Sequence, residues 1–193
     1  MLAGMADRPV FHLRDLDRAS AAERDAVAAL LVAGFRAHWP DAWPTLEEAR
    51  GDVLEMCAPE RLARVAVDAT GAIIGFIGGL PGYDGRVWEL HPLVVREDAR
   101  RRGVGRALVA DLERLVAARG ALTLQLGSDD EDDMTSLGGA DLYDDLWARI
   151  RDIQDRKGHP FAFYRKLGYT IIGVIPDANG RGKPDILMAR RIG

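Results

Sequence analysis

The chain has 193 residues, 48% hydrophobic and 29% charged, with a formal net charge of −4. That is the make-up of one ordinary globular domain, and its acidic balance excludes generic nucleic-acid binding through a basic surface. A single cysteine, Cys57, excludes an internal disulfide and suits a reducing compartment. The opening MLAGMADRPV lacks the apolar core of a secretory leader, and no run elsewhere is apolar enough to span a membrane. A cytoplasmic protein without a membrane partner is expected.

In chain order, residues 1–7 are expected to be a flexible N-terminus and Arg8–Leu13 a short opening strand. Ser20-Ala-Ala-Glu23 has capping-box spacing and predicts an Ala- and Leu-rich helix to about Trp39, before Pro40 and Pro44 break the chain. Thr45-Leu-Glu-Glu48 repeats the signal for a helix reaching about Cys57, which would sit half-buried on it. Ala63–Val67 and Ala72–Gly78 read as strands joined by a hairpin at Asp68-Ala-Thr-Gly71. The turn signal Pro81-Gly-Tyr-Asp-Gly85 leads into a strand over Val87–Val95 that contains Pro92. A periodic helix follows, with Val104, Leu108, Leu112 and Leu115/Val116 on one face, and then a strand over Ala121–Leu126.

From Gly127 to Gly158 the chain is polar and at first acidic, with helical patterning only around Leu142–Ile153. A short helix over Pro160–Leu167 and strands over Tyr169–Ile175 and Asp185–Arg191 complete the order βααβββαβ(α)αββ. Without linker or internal repeat, this predicts a single domain over residues 1–193, α+β with a mixed sheet and helices on its faces.

The most informative segment is Leu93-Val-Val-Arg-Glu-Asp-Ala-Arg-Arg-Arg-Gly-Val-Gly-Arg-Ala-Leu108. A strand runs into a basic loop, two glycines and a helix beginning near Gly103. Helix N-termini present unpaired amides and a partial positive charge. Gly103 and Gly105 remove side chains that would keep an anion away, while Arg100, Arg101, Arg102 and Arg106 add cationic character. This is chemistry for a pyrophosphate. It is neither a P-loop, since no Gly-Lys-Ser/Thr follows, nor the dinucleotide Gly-x-Gly-x-x-Gly.

Arg100-x-x-Gly103-x-Gly105 resembles the pyrophosphate-binding signature of the GNAT acetyltransferases. Phe163-Tyr-Arg-Lys-Leu-Gly-Tyr169 is similar to their second signature, in which a tyrosine protonates the departing CoA thiolate. The resemblance implies a GNAT fold, with a mostly antiparallel mixed sheet of six to seven strands splayed at an acetyl-CoA site. It also implies acetyl-CoA as cosubstrate, no metal, and Tyr164 as general acid. Leu93, Val94 and Val95 with Val104 and the loop residues above would hold the cofactor. The Leu93 N–H would polarise the thioester, a kind of contact whose loss costs about 3 kcal/mol of barrier.

Trp88-Glu-Leu-His-Pro-Leu-Val-Val95, Leu126-Gly-Ser-Asp-Asp-Glu131, Gly158-His-Pro-Phe-Ala-Phe-Tyr164, Gly173-Val-Ile-Pro-Asp-Ala-Asn-Gly180 and Lys183-Pro-Asp185 resemble the chromosomal aminoglycoside 6′-N-acetyltransferases. That likeness implies a homodimer and a small cationic amine as acceptor, foremost the 6′-amine of an aminoglycoside in antibiotic resistance. A polyamine, a metabolite or a protein amine stays open as acceptor, as does a catalytically idle acetyl-CoA-binding module.

An aliphatic amine is mostly ammonium at neutral pH, so a base must take its proton. Glu89 is the candidate, as the carboxylate of an otherwise apolar strand where burial would be costly; a strand-edge glutamate facing water is the other reading of the same residue. His91, two residues on, shares its face and could orient it or carry a proton. Pro92 donates nothing to a ladder and suits a bulge or splay. Cys57 has no nucleophile signature, so direct transfer is expected. Within the acidic run Asp129–Asp133, Asp129 and Asp130 are expected to contact the cationic acceptor. Trp39 and Tyr83 would supply flat walls for sugar rings.

Overall fold

The computed structural model describes residues 11–193. The N-terminus expected to be flexible, and residues 8–10 of the predicted opening strand, lie outside them. Seven strands and five α-helices follow in the expected order: β1 (Phe11–Asp15), α1 (Ala21–Phe35), α2 (Leu46–Met56), β2 (Leu62–Asp68), β3 (Ile73–Gly82), β4 (Val87–Val95), α3 (Val104–Ala117), β5 (Thr123–Leu126), α4 (Leu146–Arg151), α5 (Phe161–Lys166), β6 (Thr170–Ile175) and β7 (Asp185–Arg191). Both capping signals act as helix starts. Ser20 Oγ accepts the Glu23 amide at 3.3 Å and Thr45 Oγ1 the Glu48 amide at 3.2 Å. The Glu23 carboxylate does not close its box; it accepts instead from Arg14 at 2.8 and 2.9 Å and from the Asp17 amide. Among the described residues no helix is long and apolar enough to cross a membrane.

Two compact units divide the chain. The first holds the described part of Met1–Leu80 together with His91–Leu115. In it β1 pairs antiparallel with β2, and β2 with β3. Alternate residues of these strands face opposite ways, and each face carries helices. Ala63, Val65, Val67 and Phe76 pack with Val27, Leu31, Trp43, Ala49 and Val53 from α1, α2 and the loop between them. On the other face α3 lies against Gly75, where a side-chain carbon would meet Leu108 and Val104 at 3.0 and 3.1 Å. Arg64 extends from β2 on that same face to Asp111 of α3 at 2.7 Å and to Asp15 of β1 at 2.9 Å. The predicted apolar stripe of α3 is buried as expected, with Leu108, Leu112 and Val116 fully covered.

The second unit holds Pro81–Leu90 with Val116–Gly193. Here β4 pairs parallel with β5, and β7 pairs antiparallel with both β5 and β6. The β4–β5 pairing runs from Val87 to Glu89 against Thr123 to Gln125 and stops there, although β4 continues to Val95. The antiparallel pairs with one parallel pair make the mixed sheet that the element order predicts.

The stretch from Gly127 to Gly158, polar and at first acidic in sequence, buries Met134, Leu137, Leu142 and Ile153, and its predicted helical patterning around Leu142–Ile153 appears as α4. Its two limbs join at a bridge between Thr135 and Asp155, and Ser136 and Gln154 bond each other's main chain.

Candidate active site

The basic loop has the backbone of an anion cradle. After Val95 the chain makes a single 3-10 turn over Glu97–Ala99, and Arg101 and Gly103 then take positive φ of 61° and 88°. Nothing lies within 4 Å of where a Gly103 side chain would sit, so the glycine answers a backbone need and leaves open space in front of the helix. α3 starts at Val104, and its first intrahelical bond is accepted by the Gly103 carbonyl at 3.0 Å. The amides at the start of that helix have no carbonyl one turn earlier to reach, and they carry the positive end of a 14-residue helix. Arg101, Arg102 and Arg106 are exposed around them. Arg100 differs: its guanidinium bonds the main-chain carbonyls of Val95 at 3.2 Å and Gly34 at 3.4 Å, bracing the loop. This donor set fits the pyrophosphate of a coenzyme A.

Strand β4 carries both Glu89 and His91 on its exposed positions, as residues two apart require. Glu89 is therefore not a buried carboxylate, and the desolvation argument for it does not hold; its case rests on position. The side chains on the alternate positions, Trp88, Leu90 and Val94, are buried. The His91–Pro92 peptide is cis. Gly78 of β3 lies against the His91 carbonyl so closely that no larger residue fits there.

The His91 ring packs on Trp43 at 6.0 Å between centroids. Trp43 itself is buried, edge-on to Phe35 at 4.6 Å and bonded through Nε1 to Asp52 at 2.8 Å. Trp43 was missed in the sequence because one aromatic in a Pro-flanked loop looks like any other. Trp39, half-buried, lies against Phe35 at 5.7 Å and His38 at 5.5 Å.

Tyr164 comes from α5. It is 7% exposed and lies between Phe163 and Tyr169, with centroids 5.1 and 5.6 Å away. Burial pushes its hydroxyl well above the usual phenol range, so the proton stays on the oxygen at any physiological pH. Tyr83 lies far out in solvent, 77% exposed, in the turn before β4.

The two aspartates predicted to meet the acceptor have different fates. Asp130 is fully buried, and its carboxylate accepts from the Met134 amide at 2.6 Å, the Thr135 amide at 2.9 Å and Thr135 Oγ1 at 2.7 Å. Its acceptor capacity is used in folding the loop, which removes it from direct contact with a ligand. Asp129 is half-buried at the end of β5 and accepts the Asn179 side-chain amide. A third carboxylate, Asp185, stands opposite it across an isolated bridge.

A family model described as the acetyltransferase (GNAT) family matches residues 24–138, more than half of the chain. This protein is a GNAT acetyltransferase. No curated protein sequence matches the chain. Among solved structures, an aminoglycoside 6′-N-acetyltransferase complexed with coenzyme A is 42% identical with a TM-score of 0.87. The aminoglycoside 6′-N-acetyltransferase from Enterococcus faecium is 43% identical with a TM-score of 0.84. An aminoglycoside 6′-acetyltransferase type Ii is 38% identical with a TM-score of 0.71. For each of the three, the match covers 94% of this chain and 97% of the other. The acetyltransferase therefore shares its fold with these enzymes along nearly its whole length.

Proposed function

We propose that this GNAT acetyltransferase moves the acetyl group of acetyl-CoA to the 6′-amine of aminoglycosides, and so confers resistance to them. The observation that carries the reading is identity of 42% and 43%, over 94% of the chain, to two aminoglycoside 6′-N-acetyltransferases. The cofactor supplies an activated thioester. The amides of Val104, Gly105 and Arg106, with Arg101 and Arg102, would bind its pyrophosphate. Leu93, Val94 and Val95 would offer main-chain groups to its arm, with the Leu93 N–H aimed at the thioester oxygen.

Glu89 takes the proton that an ammonium must lose before its nitrogen can attack, and His91, steadied by Trp43, orients that exchange. Tyr164 holds a proton for the departing sulfur; its raised hydroxyl makes it a neutral donor throughout the working pH range. The protons balance in two steps at nitrogen. A C–N bond forms and the C–S bond breaks; the ammonium gives its first proton to the Glu89 carboxylate, and the phenol proton goes to sulfur. The second nitrogen proton, released as the amide forms, restores the Tyr164 phenol. Asp129 would draw the polycation and Trp39 and Tyr83 would flank its rings. The reading extends to a single catalytic domain working as a cytoplasmic homodimer, supported by the lone cysteine and by the family likeness.

The test is free-thiol release from acetyl-CoA with kanamycin, tobramycin, spermidine and a lysine peptide in parallel. Turnover confined to the aminoglycosides, with mass spectrometry placing the acetyl group on the 6′-amine, is expected. Turnover of another amine alone would transfer the mechanism to that acceptor and remove the resistance role.

A further inference from the structure

Among the described residues the buried polar and charged side chains are Ser128, Asp130, Thr135 and His159, and the first three belong to the segment that leaves β5. His159, 1% exposed, stands just ahead of α5, the helix that carries Tyr164. Both of its ring nitrogens are engaged. Nε2 donates to the Asp129 carbonyl at 3.0 Å, and Nδ1 accepts the Phe161 amide at 3.1 Å. The ring is thus a neutral imidazole with its proton on Nε2. The amides of Gly158 and His159 bond Asp155 Oδ1 at 2.7 and 2.9 Å, so the backbone that bears the ring is fixed before α5 begins.

α5 has particular need of such a contact. With six residues it is far too short to hold itself together in water. Its first amide, that of Phe161, has no carbonyl one turn earlier to reach, and Pro160 at the N-cap has no side-chain acceptor to offer it. Phe161 is buried, so leaving that amide unmet would be costly. Tyr164 follows directly: the Phe163 and Tyr164 amides bond the Pro160 carbonyl at 2.9 and 3.2 Å. The Tyr164 carbonyl in turn takes the Leu167 and Tyr169 amides at 2.9 and 3.1 Å. An apolar ring in place of His159 would fill the same space and leave the Asp129 carbonyl and the Phe161 amide without this partner.

We propose that His159 is a positioning residue for acetyl transfer, acting through α5 to hold the Tyr164 hydroxyl where the departing thiolate forms. The proposal rests on the function proposed above and extends it to a residue that touches none of the reacting atoms. A small rotation of so short a helix is enough, since displacing a reacting group by about 1 Å can cost about 100-fold in rate.

Two substitutions separate the bonds of the ring. His159→Asn keeps an acceptor, Oδ1, where Nδ1 stands, and gives up the reach of Nε2. His159→Gln keeps an amide that can donate to the Asp129 carbonyl and has nothing polar at the Nδ1 position. The experiment is thiol release from acetyl-CoA with tobramycin, for both variants in the wild-type and Tyr164→Phe backgrounds. His159→Gln should lower kcat about 5- to 30-fold and change the KM for acetyl-CoA less than about threefold, while His159→Asn recovers kcat to within about threefold of wild type. In the Tyr164→Phe background His159→Gln should cost less than about twofold, because the group it misplaces is already gone. An unchanged kcat in His159→Gln, equal losses in the two variants, or the same loss in both backgrounds would each overturn the proposal.

Should His159→Gln fail to retain coenzyme A, the Asn variant decides: recovery of kcat supports the assignment and a larger loss overturns it. Hydrogen exchange of the Phe161 and Tyr164 amides is followed in parallel by NMR on the coenzyme A-saturated protein without acceptor. Protection should be lost in His159→Gln and kept in His159→Asn. If wild type turns over no tobramycin, the proposed reaction falls by itself, and the exchange data decide whether His159 holds α5; equal protection in the two variants would mean that it does not.

Discussion

The imidazole of His159 ties the end of β5 to the start of α5, donating from Nε2 to the Asp129 carbonyl at 3.0 Å while Nδ1 accepts the Phe161 amide at 3.1 Å. The tautomer follows from the partners, since a carbonyl only accepts and an amide only donates. Protonation would put a hydrogen on Nδ1 and break the bond that begins the Tyr164 helix. Burial holds the His159 pKa below its ordinary 6.5. The folded state then binds fewer protons than the unfolded one, so stability is fully present above pH 6.5 and falls as the pH drops through the folded-state value. Urea unfolding at pH 7.5, 6.5 and 5.5 should show that loss, and His159→Gln should flatten it.

Asp185 has the opposite sign. Its folded-state value of about 6 lies above the ordinary 3.8, so the folded state binds the extra proton. The associated stability is present below 3.8 and lost as the pH rises through about 6, leaving an ionised, poorly partnered carboxylate at neutrality. Asp185→Asn should therefore melt higher than wild type at pH 7, by about 2–4 °C. A lower melting temperature would mean that the carboxylate stabilises the fold.

Gly103→Ala adds a side chain where space is open but φ is 88°. The left-handed backbone costs an alanine about 1–2 kcal/mol. Relaxing that strain would turn the first amides of α3 away from an anion. The KM for acetyl-CoA should rise about tenfold with kcat little changed, measured by thiol release at saturating acceptor.

Glu89→Gln should lower kcat by about 10²–10⁴-fold and leave coenzyme A binding unaltered, because the side chain is exposed and supports no packing. Tyr164→Phe should lower kcat less, and without the base limb of the pH profile moving. Unchanged turnover in Glu89→Gln would take Glu89 out of the mechanism.

Asp130→Ala removes an acceptor from three donors in a buried loop. It should cost about 3–5 kcal/mol in chemical denaturation. Asp129→Asn keeps an acceptor and should stay within about 1 kcal/mol. The adjacent aspartates, alike in sequence, should separate cleanly in this comparison.

That pair shows where local reading reaches its limit. The helix starts at Ser20 and Thr45, the stripe of α3 and the hairpin at Gly71 depend on residues within a few positions of one another. Their outcome could be read from spacing, and the order of all twelve elements followed. The turn through Gly103 into α3 was legible for the same reason, since strand, glycines and helix start are contiguous. Asp130, in contrast, turned inward because Met134 and Thr135 fold back upon it, and Trp43 met His91 from a loop nearly fifty residues away.

Which segments become strands and helices, where the glycine turn into α3 falls and which family of folds results could all be read from residue order, because capping, periodicity and glycine geometry act along a short stretch of chain. The exposure of Glu89, the use of Asp130 by its own loop and the crowding of Asp185 against Gly127 come instead from the folded arrangement. Those outcomes depend on which strand pairs with which and in what register, and a side chain's partners and solvation are set by neighbours far from it in sequence.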